Sequence, residues 1–307
     1  MDMRRIGSLE VSVIGLGTNN FGFFMEEDAV PPVVDAALEA GINFFDTADS
    51  YLESEPRLAK ALGGRRDDVV LATKFGSPVD GGPGGASPEY VRAAVERSLG
   101  RLGTDRIDLY QLHRPDPETP IADTLGVLDD LVREGKVREI GCSNFSAAQL
   151  REAAAATRAG GAHFATVQNQ WSLLHREDES DAVAECGRLG IGYLPYYPLA
   201  SGVLSGKYTR GEDAPPGTRL VHFGSGGGGA LSDRNFDIVD AATAWAAERG
   251  HTMLELALAW LAAKPVVASV IAGATKPEQV RANAAAGAWR LTPSEVAEVD
   301  ALAPVEH

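Results

Sequence analysis

The sequence predicts an α/β protein folded as one closed (β/α)8 (TIM) barrel spanning residues 1–307. Three observations predict it. Short apolar runs alternate strictly with longer helical patterns, which implies a parallel sheet joined by right-handed crossovers. The alternation repeats eight times in about 290 residues, a length that suits a closed barrel better than an open doubly wound sheet. No stretch between the units has the composition of an interdomain linker. The glycine-rich FGSGGGGALSD (223–233) is too internal and too short to join two domains, so it is expected to be a flexible loop of the seventh unit.

Residues 1–11 suit a short hairpin over the barrel bottom. SVIGLGT (12–18) forms the first strand and is followed by a helix over about 27–40, where Pro31 and Pro32 are tolerable only in the first turn. NFFDTA leads to a helix over 54–62. VVLATKF (69–75) leads to one over 88–102, with Ser87 as N-cap and Pro88 at the first helical position. IDLYQLH (107–113) precedes 121–134, REIGCSN (138–144) precedes 146–158, and FATVQNQ (164–170) precedes 177–189. IGYLPYYPL (191–199) leads, after a long loop, to helical patterns over 234–263. VVASVIAG (266–273) leads to 277–286, and 293–302 suits a terminal helix.

Bulk properties exclude several classes. The formal net charge is −15, and no Lys/Arg cluster of the kind a phosphate backbone requires is present, so nucleic acid is not an expected partner. Two cysteines do not make a disulfide framework. No leader-like segment or membrane-length apolar run occurs, which suggests a cytoplasmic protein. No metal site is expected.

In a barrel of this kind the chemistry gathers at the C-terminal ends of the strands. There the sequence places Asp46 and Tyr51 after the second strand, Lys74 at the end of the third, and His113 at the end of the fourth. Ser143 and Asn144 end the fifth, Gln168 the sixth and Tyr196 the seventh. Each has a plainer structural alternative: Asp46 as a turn carboxylate, His113 as a capped strand end, Tyr51 as a surface aromatic. Lys74 is harder to explain away, because a cation ending an apolar strand is costly without a partner.

The segments FFDTADSY, LATKFG, YQLHRPD, REIGCSNF, VQNQWSLL, PYYPLASGVLSGKY and IAGATKPEQVRAN occur in this order along nearly the whole chain. Together they resemble the aldo-keto reductase family, in particular its potassium-channel β-subunit-like branch. The resemblance implies a catalytic tetrad at Asp46, Tyr51, Lys74 and His113, and hydride transfer from NADP(H) to an aldehyde or ketone, with NAD(H) the less favoured cofactor. A Lys ammonium about 4 Å from a phenol would favour the phenolate by about 4 kcal/mol at an effective dielectric near 20. Tyr51 would then be a general acid whose pKa Lys74 lowers, Asp46 would hold Lys74 charged, and a neutral His113 would orient the carbonyl oxygen.

A G-x-G-x-x-G in a Rossmann context is missing, since GLGTNNFG has the wrong spacing. The resemblance instead implies a dinucleotide across the barrel mouth, held by Gly17, Thr18, Asn19, Asp46, Ser143, Asn144 and Gln168, with Tyr196 stacked on nicotinamide. Pro198, Leu199, Ser201, Gly202, Leu204, Gly206 and Lys207 would form the pyrophosphate loop. Gly273, Thr275, Lys276, Gln279 and Asn283 would meet the adenosine, with Lys276 on a 2′-phosphate. Asn144 as part of a helix N-cap, Tyr196 as core packing and Lys276 as a solvated surface cation are the alternatives. Asn20, Phe21, Phe23, Phe24, Leu52, Arg114 and Trp171 are expected to line the substrate mouth, and the loop 209–233 to set specificity. Family members usually carry Gly where Leu52 stands. A non-catalytic nucleotide-binding regulator, or an enzyme using Lys74 as a Schiff base, are the competing functions. Neither the substrate nor the oligomeric state follows from the sequence.

Overall fold

The computed structural model describes residues 1–79, 81–222 and 227–305. Residues 223–226, within the expected glycine-rich loop, lie outside the described set. Strands β1 (Met3–Ile6) and β2 (Leu9–Ser12) form an antiparallel hairpin. Eight parallel strands follow: β3 (Ile14–Gly17), β4 (Phe44–Asp46), β5 (Val70–Phe75), β6 (Ile107–Leu112), β7 (Val137–Ser143), β8 (Phe164–Gln168), β9 (Gly192–Tyr193) and β10 (Val270–Gly273). They pair in chain order, with β10 beside β3. The gap between β9 and β10 is bridged where Tyr193 N donates to Val266 O and Ala268 N to Tyr193 O, so the sheet curls into a (β/α)8 barrel.

Each strand is nearly all buried, as expected of a parallel sheet covered by helices. Side chains alternate between the lumen and the helix layer. Lumen-facing residues run from apolar at the bottom to polar at the top: Phe44 then Asp46, Val70 and Ala72 then Lys74, Leu109 then Gln111. The hairpin's Ile6, Leu9 and Val11 join Phe44, Val70 and Leu109 in one apolar plug that seals the bottom. Arg4 ties that plug to the carbonyls of Ala262 and Val267.

Helix boundaries follow local chemistry. The helix Pro88–Leu102 starts at a Ser87 cap and ends at left-handed Gly103. Met253–Ala262 and Pro293–Leu302 start with capping boxes at Thr252 and Thr292. The run expected over 177–189 divides into a 3-10 turn (Glu177–Ser180) and a helix (Ala182–Leu189), because Asp181 leaves helical geometry. The pattern over 234–263 likewise divides into Asp233–Ala247 and Met253–Ala262. A five-residue helix, Asn19–Phe23, was not expected. Its Gly22 is obligatory, since a Cβ there would lie 1.9 Å from the Tyr51 carbonyl oxygen.

Candidate active site

At the top of the lumen the polar ends of four strands meet. Lys74 Nζ lies 2.5 Å from Asp46 Oδ2 and donates to the Thr47 carbonyl at 3.0 Å and to the Tyr51 hydroxyl at 3.4 Å. Asp46 Oδ1 accepts from Gln111 Nε2 at 3.1 Å and Gln168 Nε2 at 2.8 Å. The buried carboxylate therefore has an ammonium on one oxygen and two amides on the other, which is what burial of a charge demands. Sequence reasoning missed Gln111. Its signal was present, as a polar residue with a lumen-facing place in an otherwise apolar strand.

His113 stands edge-on to Tyr51, with ring centroids 5.7 Å apart, and its Nδ1 is 3.4 Å from Ser50 Oγ. Burial, with help from the Lys74 and Arg114 charges, pushes His113 down to about 3, so the imidazole is neutral at any physiological pH. Burial lowers the affinity of Lys74 for its proton, but Asp46 and Tyr51 outweigh it and the net direction is up; the ammonium stays charged. For Tyr51 the expectation needs correcting. Lys74 does favour the phenolate, but desolvation is larger and the net direction is also up. The cost of burying the phenolate exceeds the one Coulombic pair with Lys74.

The tetrad opens on a cleft of about 980 Å3 lined by residues from both ends of the chain. Gly17, Thr18, Asn19 and Asn20 line it after β3, and Ser143, Asn144 and Gln168 after β7 and β8. Tyr196, Pro198, Leu199, Ser201, Gly202 and Lys207 line it after β9, and Gly273, Thr275, Gln279 and Asn283 after β10. Phe23, Phe24 and Arg114 are also on its wall. Asn144, with φ +60°, is not a helix cap: Ser146 caps the next helix. Its amide nitrogen donates to His113 O and Ser143 Oγ, and its oxygen accepts from the Tyr196 hydroxyl. Asn144 thus ties three strand ends together.

Several expected residues lie elsewhere. Phe21, on the short helix Asn19–Phe23, is fully buried in the core. Trp171, 1% exposed, packs edge-on against Tyr193 and Trp260 and donates to Glu179. Leu204 is core under the loop that carries Ser201. Leu52 points outward, 57% exposed, at φ +47°. That left-handed backbone is why glycine suits the position. Lys276 is exposed at the N-cap of helix Pro277–Ala286, beside the cleft rather than in its lining. Gly206 is also off the lining, between Ser205 and Lys207, which are on it. Thr218, from the loop 209–233 expected to set specificity, and Ser205 also line the cleft, whereas Ser77, Pro78 and Leu254 line it without a sequence signal, because segments far apart in the chain deliver them.

The cleft suits a nicotinamide dinucleotide in two respects. Asn283 is 3% exposed and lines it with no protein hydrogen bond to its side chain among the described residues. Ser201, Gly202 and Gly206 take left-handed backbone in the turn Ala200–Ser205 and just after it, and a Cβ on Gly202 would strike the Lys207 side chain at 2.4 Å. Such a loop, carrying a cation with no ion pair among the described residues over bent backbone, fits an anionic pyrophosphate.

The sequence profile of the Aldo/keto reductase family matches residues 13–304. Aldo-keto reductase str7 of Strobilurus tenacellus is 36% identical over 98% of this chain and 91% of its own length. The probable aldo-keto reductase 1 of Glycine max is 36% identical over 96% and 86%. The solved glycerol dehydrogenase of Gluconobacter oxydans superposes with TM-score 0.86 at 29% identity, covering 98% of this chain and 94% of that one. With its barrel, its cleft and a family match over nearly its whole length, the chain belongs to the aldo/keto reductase family and is an oxidoreductase.

Proposed function

We propose that the protein reduces an aldehyde or ketone to an alcohol with NADPH, using Tyr51 as the general acid. One observation carries this: a buried Lys74 ammonium set between Asp46 and the Tyr51 hydroxyl, with a neutral His113 ring edge-on to the Tyr51 ring. A reduced nicotinamide, when bound, supplies hydride to the carbonyl carbon. Tyr51 gives its phenolic proton to the oxygen that gains charge. The transfer runs downhill, because an alcohol is a weaker acid than a phenol, and the upward direction of the Tyr51 pKa keeps the proton in place until it is needed. Lys74 steadies the phenolate left behind, and Asp46 keeps Lys74 charged and aimed. Ser50 occupies Nδ1 of His113, which leaves Nε2 to orient the carbonyl oxygen.

Ser143 and Gln168 would hold the carboxamide, Tyr196 would stack on the ring, and the loop 198–207 would take the pyrophosphate. Asn144, its side chain already engaged, would act by fixing Tyr196 and His113. NADPH is favoured over NADH because Lys276 stands exposed, without an ion pair among the described residues, at the start of the helix that presents Gln279 and Asn283 to the cleft. Asn20, Phe23, Phe24 and Arg114 would meet the substrate.

The test is a carbonyl panel, including 4-nitrobenzaldehyde, with each reduced nicotinamide. Tyr51→Phe should lower kcat about 10²- to 10⁴-fold while NADPH binding is retained. Nucleotide binding without turnover across the panel would overturn the assignment in favour of a nucleotide-binding regulator. Lys276→Ala should weaken NADPH binding about tenfold, the worth of one charge-assisted hydrogen bond, and leave NADH unchanged; equal effects would remove the 2′-phosphate role.

A further inference from the structure

On the outer side of the segment that carries Tyr51 lies a second buried charge cluster. Asp49 is 3% exposed, and among the described residues neither carboxyl oxygen has a well-formed hydrogen-bond partner; the Ser50 amide is the smallest of the influences on it. Glu55, in the first turn of helix Ser54–Leu62, is buried beside it. Its Oε1 accepts from Thr73 Oγ1 at 2.7 Å and its Oε2 from Arg101 Nε at 2.6 Å. The Nη2 of that same guanidinium is buried and has no partner among the described residues, as is true of the Tyr110 hydroxyl on β6. The groups whose charges act on Asp49 or respond to it are Glu55 from its own side, Tyr90, Arg97 and Arg101 from helix Pro88–Leu102, and Tyr110 from the barrel wall.

Buried polar atoms without partners are uncommon and costly. Here one idle donor and two idle acceptors of opposite charge belong to the same cluster, and the Arg101 charge acts on Asp49. The cluster also has a short mechanical path to the proposed acid. Asp49 N donates to the Lys74 carbonyl at 3.1 Å, Tyr51 N to Ala48 O at 3.2 Å, and Ser54 N to Tyr51 O at 3.0 Å. We propose that Asp49 is a positioning residue for Tyr51: with Glu55 it shares the Arg101 guanidinium, and this clasp, closed when Asp49 is ionised, seats segment 47–54 against Lys74. The proposal rests on Tyr51 being the general acid.

Burial next to Glu55 raises the Asp49 carboxyl to about 7, so the clasp closes across neutral pH. With the whole enzyme, Asp49→Asn should lower kcat about tenfold at pH 8, leave the NADPH dissociation constant unchanged, and erase a rise in kcat between pH 6 and 8. Asp49→Glu should restore part of both. Crystal structures of the wild type and Asp49→Asn at pH 8 give a readout independent of turnover: the Tyr51–Lys74 separation should lengthen in the variant. An unchanged separation, or an unchanged kcat and pH profile, overturns the clasp. A wild type that reduces no carbonyl would remove the proposed activity, and the measured separation would then decide the clasp by itself.

Discussion

Asp46 and Asp49 stand three residues apart on one short segment and meet opposite conditions. Asp46 faces the lumen, where β5, β6 and β8 each end in a complementary side chain, so Lys74, Gln111 and Gln168 satisfy both of its oxygens. Asp49 faces the helix layer, where the Arg101 guanidinium already serves Glu55, and neither of its oxygens has a partner among the described residues. Equal burial therefore does not give equal electrostatics. What differs is whether neighbouring elements arrive with donors, and a closed barrel guarantees that only on its inner face.

Breaking the satisfied side should cost most. Asp46→Asn leaves the Lys74 ammonium buried without its anion, and we expect a loss of about 3–5 kcal/mol in chemical denaturation; a loss under about 1 kcal/mol would mean that the two amides alone can hold the cation. The unsatisfied side should respond in the opposite sense. Below pH of about 4 the folded and unfolded chains both keep the Asp49 proton. As pH rises the unfolded chain releases it first, so stability falls until the folded carboxyl also titrates near 7. A pKa moved from 3.8 to about 7 sets a ceiling of about 4 kcal/mol on that decline. Asp49→Asn should therefore be more stable than the wild type at pH 8 and equal to it at pH 4, as measured by melting temperature across that range. No pH dependence of the difference would show that Asp49 is ionised throughout. Leu52→Gly should have the smallest effect. Relief of about 1–2 kcal/mol of left-handed strain is offset by about 0.5–1 kcal/mol of glycine entropy, for a gain of at most about 1.5 kcal/mol; a net destabilisation would mean the exposed Leu52 side chain packs on something.

The contrast also explains what the sequence disclosed. Asp46, Lys74 and Gln168 were visible because each is a polar residue ending an apolar strand, and parallel strands bring such ends to one rim. Trp171 and Phe21 were misplaced because an apolar side chain just past a strand reads equally well as mouth or core, and only packing decides. The direction of the Tyr51 pKa was missed for a related reason: desolvation is a property of the filled interior, not of residue spacing. Asp49 gave no signal at all, since an aspartate in a polar loop is ordinarily solvated and nothing in the spacing reveals the helix that covers it.

The seam that closes the barrel joins segments far apart in the sequence. Ile14 pairs with Val270, Gly287 packs on Val13 and Ile14, and Arg4 reaches the carbonyls of Ala262 and Val267. On a ribosome the hairpin and first barrel strand emerge long before the last strand, and must wait with one edge unpaired until β10 is made. Synthesis halted short of residue 270 would thus release an open sheet with a ready edge, the form most prone to pairing with other chains.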